Sequence, residues 1–240
     1  MLPWTTPTSA TDRLTDIRET SLAKLVRDDM LASILNGNLV PGQRINEPDV
    51  ASRLQVSRVP VREALRELES SGIVVSRKHS GVFVRQLTPK EIQDLYQMRG
   101  LLDGFAGRCA AQLPKSERTA LAHSLDASIH TMEEAVDQQQ VAAYYAENLR
   151  FHWLIVESVG NQQLTETYRG TVQKLHISRM KNLAKVADMR TSIAEHSAIV
   201  KALRGGDAVQ CEALLARHVS DAFLRLTSQP TPEKLPETMP

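Results

Sequence analysis

The strand-like patterning of this 240-residue chain ends by Arg85. Two short β-branched or aromatic runs, Ile73–Val75 and Val82–Val84, flank a polar segment that contains Gly81. Runs of this kind around a glycine turn predict a hairpin, and the tip here, RKHSG, is basic. Downstream of Arg85 nothing alternates with period two, and apolar residues recur at helical spacing instead. The fold is therefore expected to be mainly α, with one small β element confined to the first third. Wide sheets and alternating βα architectures are excluded.

The elements before the hairpin are helices. Leu22, Leu25, Val26, Met30 and Ile34 recur at helical spacing, and Gly37 is a stop signal. NLVPGQRI follows as a turn into a short extended stretch. Asn46 is placed to cap a helix over DVASRL, and Pro48 is tolerated in its first turn, where backbone donors lack partners. Ser57 opens the next helix, SRVPVREALRELESSG, which Gly72 closes. Three helices and a basic hairpin are the element order of a winged helix-turn-helix.

After Gln86, Thr88 caps a long helix with Pro89 at its first position, and Ser116 is expected to cap another. Further amphipathic segments cover roughly 139–159, 161–183, 187–204 and 206–228. This second part reads as an all-α bundle of six helices, or seven if 161–183 is broken. The expected layout is a flexible leader over 1–18, a DNA-binding domain over 19–86, a bundle over 87–228 and a flexible tail over 229–240.

Net charge is +1, yet the charge is unevenly spread. Seven basic residues face three acidic ones between Arg53 and Arg85, whereas 17 basic and 18 acidic residues follow from Pro89 onward. A basic patch on the N-terminal third suits a polyanion, and the bundle needs a different partner. Cys109 and Cys211 match no zinc spacing and no disulfide framework, so they read as core residues in a reducing, cytoplasmic compartment. No apolar run approaches membrane-spanning length, and MLPWTTPTSATD lacks the pattern of a secretory signal.

Recognition helices enter the major groove with their N-terminal residues leading. In SRVPVREAL, Arg58 sits in the first turn and Arg62 one turn later, away from Val61 and Leu65. A guanidinium fork can hold guanine O6 and N7 together, and Ser57 at the helix start is placed for a phosphate. The alternative is that Arg62 pairs with Glu63, Glu67 or Glu69 on a solvated helix. Because one helix-turn-helix reads few base pairs, a homodimer on double-stranded DNA is expected.

Of seven histidines, His152, His196 and His218 lie in three different segments with apolar neighbours one turn away. Each is expected to point inward. Three inward imidazoles can converge on a metal, as bundle cores permit, or stand apart bonded to carbonyls or carboxylates. Asn148, four residues before His152, shares its helix face. Three nitrogens and an amide oxygen would suit Zn or Ni, with Mn also acceptable. His176 and Arg179 are one turn apart and could line a pocket, while His123 and His130 read as exposed.

PGQRINEPDVASRLQVSRVPVREALRELESSGIVVSRKHSGVFV resembles the winged helix-turn-helix of GntR-family bacterial transcription regulators. The resemblance implies that Arg58 and Arg62 read the operator and that Lys78, His79, Ser80 and Gly81 lie at the minor groove. Many members carry Arg where Pro48 stands here, so that contact is lost. LTPKEIQDLYQMRGLLDGFAGRCAA and AIVKALRGGDAVQCEALLARHV resemble the FadR-type C-terminal effector domain, FCD. Its metal-binding branch uses one Asp and three His, matched here by Asn148, His152, His196 and His218. Asn148 departs from the usual Asp, keeping a carbonyl oxygen but losing a charge. The resemblance also implies a small carboxylate-type metabolite beside the metal, with Arg99 as its bidentate partner; the alternative for Arg99 is a salt bridge with Asp103.

The function expected is a ligand-responsive transcription regulator, a repressor, in the bacterial nucleoid. Two others compete. One is a DNA-binding dimer with purely structural histidines. The other is a three-histidine metalloenzyme, for which Glu195 is the sole adjacent carboxylate and a neighbour on the wrong helix face.

Overall fold

The computed structural model describes residues 21–179 and 186–228. The expected leader and tail lie outside those residues. Helix α1 spans Leu22–Leu35, with the Ser21 hydroxyl accepting from the Lys24 amide at 3.2 Å. Val26, Met30 and Ile34 form its buried stripe, while Leu22 and Leu25 stay at the surface. Helix α2 spans Glu47–Leu54 and ends on Gln55 in the left-handed region (φ 56°). Helix α3 spans Arg58–Ser70. Neither Asn46 nor Ser57 makes a side-chain cap bond, although both occupy the cap positions.

Three short strands complete this part. β1 is Arg44–Ile45, β2 is Val74–Arg77 and β3 is Gly81–Val84. They form an antiparallel sheet in the order β1-β3-β2, with Val75 opposite Phe83 and Arg77 opposite Gly81. Ile73 precedes β2 rather than opening it, and its side chain is buried. Val61, Leu65 and Leu68 on α3 pack against Met30 and Ile34 in one core. Each such side chain contributes roughly 1.5–3 kcal/mol through burial.

Six helices follow among the described residues, and no strand. They are α4 (Pro89–Ala111), α5 (Lys115–Asp137), α6 (Val141–Ser158), α7 (Gln162–Arg179), α8 (Val186–Gly205) and α9 (Ala208–Thr227). Helix α4 opens on a full capping box: the Thr88 hydroxyl accepts from the Glu91 amide, and the Glu91 carboxylate accepts from the Thr88 amide. Helix α5 starts at Lys115 with Pro114 in the cap position, so Ser116 is not the cap. Proline disfavours the α region for the residue before it, which places the break ahead of Pro114. Cys211 is buried, whereas Cys109 is only half-buried; both are free thiols. No helix among the described residues is long and apolar enough to cross a membrane.

The pairing of α4 with α9 matters most for the site. A Cβ on Gly107 would come within 2.2 Å of the Leu215 Cδ1 and 3.2 Å of the Cys211 Sγ. A Cβ on Gly104 would lie 3.3 Å from the Glu212 carbonyl oxygen. The glycines let the two helices approach closely, and that approach sets Asp103 of α4 within electrostatic range of His218 of α9.

Candidate functional site

His152 of α6, His196 of α8 and His218 of α9 converge in the bundle, their nearest ring nitrogens all within 4.8 Å of one another. All three are buried. The His152 and His218 Nε2 atoms are 3.2 Å apart, and the His196 and His152 Nε2 atoms 3.4 Å. Two nitrogens held tetrahedrally at 2.0–2.1 Å from a zinc-like ion would be about 3.3 Å apart.

Two carboxylates fix the tautomers. Asp103 accepts from the His152 Nδ1 at 2.9 Å, and Glu195 accepts from the His218 Nδ1 at 2.6 Å. With the proton on Nδ1, each neutral ring turns a lone pair on Nε2 toward the other. Facing lone pairs repel unless a cation lies between them. Carboxylates behind metal-binding histidines perform this orienting role. The His196 Nδ1 is buried and has no hydrogen-bond partner among the described residues. The residues therefore fit a divalent ion better than they fit one another.

Burial and neighbouring cations keep His152 and His196 neutral. Burial lowers the His152 pKa to about 4, with Arg99 adding to the effect against the pull of Asp103. His196 is pushed well below the ordinary histidine value by burial and then by His218 and His152. Burial would raise the Glu195 pKa, yet bonds from His218 and Arg225 hold it down at about 2. Arg225 grips Glu195 through both terminal nitrogens, at 2.7 and 3.0 Å. Asp103 is likewise held ionised against burial by His152 and Arg99.

Asn148 lies one turn before His152 on α6 and is buried. Arg99 is buried and donates through Nε to Asp103 at 3.1 Å. Tyr168, Tyr96 and Tyr145 surround its guanidinium within electrostatic range. The Tyr96 hydroxyl is buried with no partner among the described residues.

Asp103 and Glu195 are the site residues that sequence reading missed. Asp103 was visible only as an ion-pair candidate four residues after Arg99. Glu195 neighbours His196 along the chain but serves His218 across to the next helix. His176 does not join the triad; its Nε2 meets the Leu35 backbone oxygen in the N-terminal part. The Arg179 side chain lies outside the described residues. His123 and His130 are exposed as expected.

On the N-terminal part, Ser57, Arg58, Arg62, Lys78, His79, Ser80 and Gly81 are all exposed. Arg58 heads α3, where helix amides and dipole add positive potential. Arg62 donates through Nε to Glu47 at 2.9 Å, a carboxylate from α2 rather than from its own helix. That contact uses one of the five guanidinium donors and leaves the outer fork available. Val59, 63% exposed between Arg58 and Pro60, offers an apolar contact of the kind that reads thymine methyl groups. The hairpin tip turns on His79 (φ 61°) and Gly81 (φ 100°). The Arg44 guanidinium packs 3.2 Å from where a Cβ on Gly81 would stand, adding a cation at the wing.

Comparison with known proteins agrees with this arrangement. Residues 22–84 match the bacterial regulatory proteins of the gntR family, and residues 94–221 match the FCD domain. A "Probable D-xylose utilization operon transcriptional repressor" of Paenarthrobacter nicotinovorans is 32% identical over 215 residues, covering 88% of this chain and 91% of its own. The Nta operon transcriptional regulator of Aminobacter aminovorans is 28% identical, over 76% of this chain and 84% of its own. Among solved structures, a GntR regulator from Rhodococcus superposes with a TM-score of 0.71 at 22% identity, over 88% of this chain and all of that one. E. coli McbR/YncC gives 0.67 at 21% identity, over 87% of this chain and 98% of that one. The chain belongs to the GntR family of bacterial regulatory proteins, a transcription regulator and not an enzyme, with an FCD domain behind its winged helix-turn-helix.

Proposed function

We propose that this regulator is a repressor whose bundle holds a divalent metal on His152, His196 and His218. The observation that carries the reading is the meeting of Nε2 lone pairs at 3.2 Å, each fixed by a carboxylate behind its ring. Asn148 would offer a carbonyl oxygen as a further ligand. The ion, zinc or nickel by its donor set with manganese as the weaker candidate, supplies a positive charge that favours an anionic ligand. None of the four ligands is charged, and the Asp103 and Glu195 carboxylates behind the rings are each shared with an arginine.

The ligand we assign is a small carboxylate or sugar acid. Arg99, beside Asp103 and Tyr168, is the cation we assign to its carboxylate, and the orphaned Tyr96 hydroxyl adds a donor nearby. The sugar-utilization name of the Paenarthrobacter relative supports including sugars and sugar acids among candidates. Ligand and metal together order the bundle and so alter its grip on operator DNA, read by Arg58, Arg62 and the Lys78–Gly81 wing. Boundaries near residues 86 and 228 follow from the same division of labour.

Thermal melting of chelator-stripped protein tests the reading. Zinc at a hundredfold excess over its dissociation constant should stabilise by about 2.7 kcal/mol, a rise on the order of 5 °C or more for a chain of this size. Absence of bound metal and of any shift with zinc, nickel or manganese would overturn it. Asn148→Asp restores a negative ligand and should tighten the metal; unchanged affinity would remove Asn148 from the ligand set.

The regulator acts as a homodimer on paired half-sites. Met98, Leu101 and Phe105 form an exposed apolar stripe on α4, with Leu101 71% exposed. A second copy of the chain is the occupant we assign to it. Leu101→Glu should shift the protein from dimer to monomer in sedimentation while leaving its helical content intact. A dimer unaffected by the charge would move the contact elsewhere.

A further inference from the structure

His176 joins the two parts of the molecule. Its Nε2 lies 2.9 Å from the backbone oxygen of Leu35, the last residue of α1. A carbonyl only accepts, so Nε2 carries the proton. The other ring nitrogen, Nδ1, pairs with the Tyr145 hydroxyl at 3.2 Å. The Tyr145 ring also stacks on His176, with centroids 5.4 Å apart and planes 12° from parallel. The last carbonyls of a helix have no partner within it. Here one of them, in the DNA-binding part, is closed by a side chain of the bundle.

The neighbours of His176 reinforce the joint. Ile177 is buried in the core of the winged helix-turn-helix, beside Leu35 and Ile34. The Lys174 Cε lies 3.2 Å from where a Cβ on Gly72 would stand. The C-terminal third of α7 is therefore seated on the DNA-binding part. Earlier on the same helix, the Tyr168 hydroxyl donates to the Asp103 Oδ1 at 3.3 Å, and Asp103 is the carboxylate that holds His152. Arg99, the other partner of Asp103, lies within electrostatic range of Tyr145. A route thus runs from the triad to His176 along α7 from Tyr168, with Tyr145 of α6 stacked on its far end.

We infer that His176 is the positioning residue that couples the state of the histidine triad to the placement of α1. The inference rests on the triad being the regulatory site. A change at His152 must be taken up by Asp103, whose neighbours are packed and cannot yield independently. Tyr168 passes it to α7 as a rigid helix, and His176 with Ile177 passes it to α1. Helix α1 backs the recognition helix α3 in one core, so its displacement re-aims Arg58 and Arg62.

A double-mutant cycle tests this on a DNA duplex selected by the wild-type protein from a random pool. Tyr168→Phe removes only the hydroxyl on Asp103. His176→Phe keeps a ring on Tyr145 but loses the Leu35 bond. DNA affinity is measured for both variants and the pair, in chelator and in zinc, with melting curves confirming the fold. Tyr168→Phe should change the DNA dissociation constant about fivefold or more in the wild-type background and under about twofold in His176→Phe. His176→Gln, which keeps a donor for Leu35, should restore the larger effect. Additive effects, or no effect of Tyr168→Phe, overturn the inference. Should elemental analysis and melting show no zinc bound, the metal reading falls alone, because the cycle in chelator still decides the role of His176.

Discussion

Replacing His152 with alanine should lower zinc affinity by well over 100-fold and abolish the melting shift that zinc produces in the wild type. Loss of an orienting partner alone costs roughly 10–100-fold, and His152 is more than that. Its Nε2 lies within 3.4 Å of both other Nε2 atoms, so it is the hub of the triad. Its Nδ1 ties the triad to Asp103 and hence to Arg99. Glu195→Gln should fall inside the 10–100-fold range, since it disturbs the His218 tautomer and leaves all three rings in place. His130→Ala, on an exposed histidine, should change nothing. Competition against a chromophoric chelator, with elemental analysis of the purified variants, measures all three. A His152→Ala protein that retains wild-type affinity would show that the histidines are structural.

The second large effect is expected at the recognition helix. Arg58→Ala and Arg62→Ala should each weaken binding to the selected duplex by about 1–3 kcal/mol, and each should relax the base preference at one position per half-site. Arg62 carries a further consequence. Its Nε bond to Glu47 orients the fork and masks a carboxylate that would otherwise face the phosphates. Its truncation should therefore also flatten the salt dependence, because a lost cation and an exposed Glu47 leave fewer counterions to release. Lys78→Ala at the wing should act differently, weakening all sequences equally and reducing the salt slope by about one. Fluorescence anisotropy at several salt concentrations, on cognate and scrambled duplexes, separates these outcomes. Equal losses on both duplexes for Arg58→Ala and Arg62→Ala would assign them to the backbone.

How much of this was readable beforehand depends on range along the chain. The Thr88 cap, the Gly81 hairpin and the change of period at Arg85 are local signals, and the structure carries all three. The Ser116 cap failed through a local rule applied too late, because Pro114 had already set the helix start. The inward direction of His152, His196 and His218 followed from flanking apolar residues, but their meeting point depends on how α6, α8 and α9 pack. Asp103 and Glu195 carried no signal of their role. What places Asp103 is the close glycine contact of α4 with α9, and what matters for Glu195 is the helix opposite, not the histidine beside it. His176 read as a pocket residue and lies instead at the joint between the two parts, which no spacing in the sequence announces.

The central claim is that the triad and the DNA-reading surface share one energetic account. Linkage makes this directly measurable: zinc and DNA must change each other's affinity by the same factor. The decisive measurement is the zinc dissociation constant of the protein free and bound to its selected duplex, set beside the DNA dissociation constant with zinc and with chelator. The account predicts equal factors of about fivefold or more, both falling to one in His152→Ala. Factors of one in the wild type, with zinc bound at the triad, would contradict it.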